Sequence, residues 1–331
     1  MADIYNLENP NKIKVLIFNH TKFRNRRVKS RPAQIGLNLA NFFLSNFGQN
    51  FDVSHFYDLS RDQVTSELKI VADDGLKYSA VIICISSHGN LIVDEDGIFH
   101  EVIHAQDGFY YKTELWRHFH GKQDWNGKPK LFFIQACRGE DATAGVIMSH
   151  DACDAEETTP IFTDLTFPDL FIMNASQQGT VSWKCNNGDS LFVDALIKIF
   201  SEKSSQWDLM SMAVEISDRV AREHEVCTMM GADSKYNCCQ QMPCFETTLT
   251  KRFYFPNATM ETRLVNGNEF YRKIQKPLAI VLNYSYEGTN YPNNAAKARI
   301  NKNAVKVGLT TAGFEYRKFW DVTKEDLPKV S

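Results

Sequence analysis

Through most of the chain, short apolar runs alternate with longer stretches in which apolar residues return every three or four places. The runs are KIKVLIFNH (12–20), AVIICIS (80–86), KLFFIQA (130–136), DLFIMNA (169–175) and PCFETTLTK (243–251). The first four are nearly continuous, which suits strands covered on both faces. Buried helix segments can look the same over so few residues, but β-branched content and polar flanks favour strands. The intervening stretches 33–48, 60–73, 111–119, 190–202 and 207–223 carry the helical period. Strands alternating with helices predict an α/β fold, a three-layer sandwich whose mostly parallel sheet has helices on both faces.

Two stretches break the pattern. Residues 140–168 are rich in Asp, Glu and Thr without periodicity, and so long a loop in a compact domain is usually functional or disordered. The second break is 256–276, and beyond it the chain repeats its own start. KVLIFNH (14–20) matches LAIVLNY (278–284), and FDVSHFYDLSRDQV (51–64) matches FEYRKFWDVTKEDL (314–327). Asn19 then faces Asn283, and Asp58 faces Asp321. A strand, a helix and a second strand at matching separations point to a duplication.

Composition narrows the setting. An apolar fraction of 43% and a charged fraction of 23% are those of an ordinary soluble protein. A net charge of -3 gives no reason to expect nucleic acid or an acidic membrane as partner. No run reaches the length of a membrane span, and VLIF (15–18) is too short for a signal peptide. The eight cysteines are scattered, with neither a disulfide framework nor paired metal spacing. These features predict a reducing, cytoplasmic setting, with no cofactor and no metal.

The chemistry lies in SSHGN (86–90) and QACRGE (135–140), each directly after a predicted strand. Carboxyl ends of parallel strands are where ligand sites form in such sheets. His88 can therefore meet Cys137 across the sheet edge. A thiolate is the nucleophile, and an imidazole beside it takes its proton and later protonates a leaving amine. Gly89, having no side chain, lets a backbone N–H approach the reacting carbonyl. With the N–H of Cys137 it can hold an oxyanion, worth about 3–4 kcal/mol per donor in other enzymes.

QAC-[RQG]-G with a His about fifty residues upstream is a caspase signature, and the chain resembles the caspases. GKPKLFFIQACRGE (127–140) looks like the end of a caspase large subunit. DLFIMNAS (169–176), SWKCNNGDSLFVDAL (182–196) and MPCFETTLTKRFYF (242–255) look like the small subunit in order. The resemblance implies a peptidase domain over 1–256, with a large-subunit part about 10–140, a linker about 141–168 and a small-subunit part about 169–256. A linker at 257–274 and an incomplete second caspase-like domain at 275–331 complete the chain. It also implies cleavage after aspartate through an acyl-enzyme on Cys137, in apoptosis-like proteolytic signalling. The short stretch before the first strand is similar to that of executioner caspases.

In the family two arginines and the Gln before the Cys, here Gln135, hold the substrate aspartate. Fork-shaped guanidinium donors suit a buried carboxylate. The chain departs from that pattern, since Ser182 and Trp183 are followed by Lys184 instead of arginine. Losing one charged hydrogen bond, worth roughly 1.5–3 kcal/mol, weakens the grip on aspartate. The other arginine is expected in the loop after the first strand, with Arg31 the best candidate and Lys29 the alternative. Trp183 is expected to line the neighbouring substrate pocket. Asp141, Asp151 and Asp154 each precede Ala and are candidate processing sites. The strand at 243–251 is expected to pair with its twin, in a homodimer or a heterodimer with another caspase; protein substrates are the other partners. Lys184 and the tandem arrangement keep open a weakly active or inactive caspase-like regulator that dimerises with a true caspase.

Overall fold

The computed structural model describes residues 3–7, 12–95, 97–138, 167–178, 190–222, 241–257, 278–283, 306, 310 and 315–320. Its contacts divide the chain into two units, Met1–Asn266 and Gly267–Ser331. The first unit runs β1 (Lys12–Asn19), α1 (Gln34–Phe47), β2 (Phe51–Tyr57), α2 (Arg61–Asp73) and β3 (Tyr78–Ser86). Then come β4 (Gly89–Val93), β5 (Phe99–His104), β6 (Phe109–Tyr111), α3 (Glu114–Arg117) and β7 (Lys130–Gln135). It ends with β8 (Leu170–Asn174), α4 (Leu191–Lys203), α5 (Leu209–Arg222) and β9 (Cys244–Thr247).

Six of these strands form one sheet in the order β2-β1-β3-β7-β8-β9. The first five are parallel, and β9 closes one edge antiparallel to β8. Successive residues of the central strands feed two cores, as a continuously apolar strand requires. Val15, Ile17, Ile82, Cys84, Leu131 and Phe133 pack with α1, α4 and α5 on one face. Leu16, Phe18, Val81, Ile83, Phe132 and Ile134 pack with α2 and α3 on the other. The three-layer sandwich predicted from the pattern is therefore present.

The helices form where the stripe and the caps coincide. In α2, Val64, Leu68 and Val71 face the core. Its start is a capping box in which Ser60 and Gln63 bond each other's backbone N–H. In the core on the α1 face, Phe47 stacks on Phe51 and Phe255, with ring centroids at 4.6 and 4.9 Å. That pairing ties the last described stretch of the unit to its first helix.

Two expectations change. The helical stretch at 111–119 shrinks to the single turn α3, because Phe109–Tyr111 is already committed to a strand. That strand belongs to an antiparallel sheet, β4-β5-β6, which the apolar runs did not reveal. Its segments mix polar and apolar residues, and the signal that marks it is the DEDG turn at 94–97 between two such segments. The expected strand at 243–251 is shorter, because its partner β8 begins only at Leu170, after Asp169 at φ 62°.

In the second unit, β10 (Leu278–Asn283) pairs in parallel with β11 (Glu315–Trp320). Asn283 registers with Trp320 there, as Asn19 registers with Tyr57 between β1 and β2. The two parallel pairs thus share one register under the alignment of the repeat. No helix among the described residues is long and apolar enough to cross a membrane.

Candidate active site

Strands β3 and β7 end level, Ser86 beside Gln135, and the N–H of Ser87 donates to the Gln135 carbonyl at 3.0 Å. His88 and Cys137 each come two residues later, so they leave adjacent strands at the same edge. Between them lies Gly89, the first residue of β4. A Cβ at Gly89 would sit 2.3 Å from the Cys137 carbonyl oxygen and 3.0 Å from Ala136 Cβ. The nearer neighbour is backbone and cannot swing aside as a flexible side chain would, so only glycine allows this approach.

The loop between β1 and α1 sets the histidine. His88 Nε2 lies 2.8 Å from the backbone oxygen of Lys29. A carbonyl can only accept, so Nε2 carries the hydrogen and Nδ1 is the ring's basic nitrogen. Phe23 packs on the same ring at 5.3 Å between centroids. Asp58, at φ 50°, anchors the loop from the end of β2. Its carboxylate accepts from the N–H groups of Thr21 (2.5 Å) and Lys22 (2.8 Å) and from the Thr21 hydroxyl. At the other end Asn19 Nδ2 donates to the Ala33 carbonyl at 2.8 Å.

The same loop delivers Arg31. Its side chain is buried, its N–H donates to the Thr21 carbonyl, and its guanidinium reaches Ser86 Oγ only at 3.5 Å. Nε has no partner, and no carboxylate among the described residues pairs with the group. Burial pushes the Arg31 guanidinium down to about 10, with the Cys137 sulfur the charge that favours its protonated form. It stays charged at neutral pH. Gln135, also buried, accepts the Ser190 hydroxyl hydrogen at Oε1 over 2.6 Å. Ser190 Oγ in turn accepts the N–H of Val193 as the cap of α4. The hydroxyl hydrogen thus has an acceptor at Gln135, and the other end of that amide is the donating one.

Directly after Cys137, Arg138 is buried against Glu101 of β5. Arg138 Nε donates to Glu101 Oε1 at 2.9 Å, and Lys112 binds Oε2. Arg138 also reaches the Ser176 carbonyl at 3.3 Å and Cys244 Sγ at 3.0 Å. Burial works to raise the Glu101 carboxyl, but Lys112 and Arg138 together hold it below the usual carboxylate range. Burial keeps Lys112 below its ordinary value despite that pairing, aided by the like charge of Arg138.

The structure therefore brings His88, Gly89, Cys137, Gln135 and Arg31 to one sheet edge. Lys29 contributes a backbone oxygen there, while Ser182, Trp183 and Lys184 lie outside the described residues, as do Asp141, Asp151 and Asp154. Sequence reasoning missed Ser190, Asp58's anchoring role, and the Glu101–Lys112 pair. Only Asp58 left a trace, as a position shared with the repeat.

A thiol and an imidazole at the carboxyl edge of a mostly parallel α/β sandwich define a candidate cysteine peptidase. The Caspase domain family matches residues 12–254, and the chain belongs to it. Caspase drICE of Drosophila melanogaster is 26% identical over 255 residues, covering 76% of this chain and 72% of that protein. Caspase-3 of Oryctolagus cuniculus is also 26% identical, over 256 residues, covering 76% and 86%. The crystal structure of Caspase-1 from Spodoptera frugiperda shares the fold, with a TM-score of 0.63 at 24% identity and coverage of 76% and 95%.

Proposed function

We propose that the chain is an endopeptidase that cuts after aspartate, with Cys137 as nucleophile and His88 as its acid–base partner. The observation that carries this reading is Arg31, a buried guanidinium with no carboxylate partner among the described residues, at the sheet edge where Cys137 stands. A buried cation left unpaired is costly, and a substrate aspartate supplies the missing partner. His88 Nδ1 takes the thiol proton, and the thiolate sulfur adds to the scissile carbonyl carbon. The N–H groups of Gly89 and Cys137 hold the oxyanion. Collapse breaks the C–N bond, and His88 returns the proton to the amine nitrogen. Water then adds to the thioester, His88 taking its proton, and a carboxylate product and the thiol are released.

The test is a panel of fluorogenic peptides that differ only in the residue before the cut. Turnover should be highest with Asp, and Lys184→Arg should raise kcat/KM on it about tenfold, as one charged hydrogen bond is regained. A better rate with another residue, or a fall with Arg at 184, overturns the aspartate assignment. The second reading, a weakly active or inactive regulator paired with a true caspase, is favoured by Lys184 and predicts slow turnover or none at every residue.

The same proposal places the chain in apoptosis-like proteolytic signalling in the cytoplasm, as a dimer joined through the 243–251 edge. Residues 275–331 are then the start of a second caspase-like domain. Cutting of the 141–168 linker activates the first. Mass spectrometry of the active protein should find a new amino terminus at Ala142, Ala152 or Ala155. A fully active, intact chain overturns this step.

A further inference from the structure

The end of the sheet away from Cys137 holds a second buried cation with no carboxylate partner among the described residues. Lys130 opens β7, is only 5% exposed, and its backbone N–H donates to the Asp169 carbonyl. Its Nζ donates to the backbone carbonyls of Lys128 at 2.8 Å and Trp125 at 3.2 Å. An ammonium carries three N–H groups, and the third has no acceptor among the described residues.

The same residue lines a cavity of about 130 Å³. A single water needs roughly 10–15 Å³ of such space, so the cavity admits several waters or one tetrahedral oxyanion. Its walls come from the 119–126 stretch and from Phe167 and Pro168, which lead into β8. His120, Lys122 and Asn126, all exposed, add nitrogen donors, and no carboxylate is among the lining residues. A buried ammonium is costly unless paired, and charge-assisted hydrogen bonds to an anion are the strong kind.

We propose that this cavity binds a small tetrahedral oxyanion, of the sulfate or phosphate class, held by the Lys130 ammonium. The site shares no residue with the catalytic edge and does not depend on the peptidase reading. Its occupant ties Phe167 and Pro168 to the 119–126 stretch, at the amino ends of β7 and β8. Burial pushes the Lys130 amine down to about 8, while the charge of Asp169 favours the ammonium. That carboxylate is itself taken by the Tyr5 and Thr250 hydroxyls, at 2.5 and 2.7 Å. The other charged or titratable groups about the amine are His120, Lys122 and Lys128. Lys122 pairs with Asp73, and Lys128 donates to the Gly75 carbonyl with Asp124 beside it. An anion binds the protonated amine, so binding is strong below about pH 8 and weakens as pH rises through that value.

Sulfate is the probe, because its own charge is constant near and above neutral pH. Equilibrium dialysis of the full chain against radiolabelled sulfate, in a fixed chloride background, measures the binding. The expected result is a saturable site whose affinity is about tenfold weaker at about pH 9 than at about pH 7, as the charged fraction of Lys130 falls. Lys130→Met should abolish it, and His120→Gln should leave the pH ratio as it is. Sulfate held by Arg31 instead would survive Lys130→Met and keep its affinity at about pH 9, where that guanidinium stays charged. No saturable binding, binding that survives Lys130→Met, a pH ratio lost in His120→Gln, or equal affinity at the two pH values overturns the proposal. Should Lys130→Met fail to fold, the pH ratios of the unaltered chain and of His120→Gln decide.

Discussion

Cys137→Ala should abolish turnover, a loss that reaches roughly a million-fold where nucleophiles have been removed from enzymes that use them in the same way. Cys137 is only partly buried, at the end of a strand whose core residues the substitution leaves untouched. The fold should therefore survive, and thermal unfolding should move little. Cys137→Ser should be nearly as inactive, because its hydroxyl gives almost no anion at neutral pH even beside His88. His88→Ala should cost about as much alone, and the double variant little more, because the two act as one unit. Turnover and labelling by an electrophilic peptide ketone are the measurements. Labelling that persists undiminished in Cys137→Ala places the nucleophile elsewhere, and Cys244 then becomes the thiol to examine.

The layers of the fold were legible because burial on both faces leaves an unmistakable mark. AVIICIS and KLFFIQA admit no exposed face, so helices had to cover both. The placement of His88 and Cys137 at one sheet edge followed from the same strands, since each residue comes just after a run that ends there. Three features were not legible, each for a physical reason. The β4-β5-β6 sheet lies at the periphery, with Val93, Phe99 and Phe109 exposed, so its apolar residues follow no clean period. The contact of Lys29 with His88 uses a backbone oxygen, which every residue has, so the side chain at 29 carries no signal. The Ser190–Gln135 bond joins residues from separate parts of the chain through an uncharged hydroxyl, and nothing in either segment alone marks the pair.

Glu101→Gln should cost about 3–5 kcal/mol of stability at neutral pH, the effect of removing one member of a buried ion pair. Glu101 is the anion between two cations, Arg138 and Lys112, whose side chains are 8% and 9% exposed. A neutral amide removes the carboxylate that both donate to and leaves only the weaker attraction of Glu246, in a place water barely reaches. Against a total stability of about 5–15 kcal/mol, such a loss is large. The pair also links β5, whose Ile103 registers with Gly89, to the residue after Cys137. Loosening it should move Gly89 relative to Cys137 and lower kcat more than it raises KM. The pH dependence has a definite sign. The folded Glu101 carboxyl sits below its ordinary value, so its contribution is present above about pH 4 and is lost as pH falls through the folded value. The gap between the unaltered chain and Glu101→Gln should therefore be widest near neutrality and narrow in acid, where a protonated Glu101 resembles the glutamine. Adding Lys112→Met removes one of the stranded cations and should restore part of the loss. Urea denaturation of the full chain at neutral and acid pH measures all three. A cost below about 1 kcal/mol, typical of exposed pairs, with no change between the two pH values, means that water screens these charges and that the hairpin is held by its apolar contacts alone.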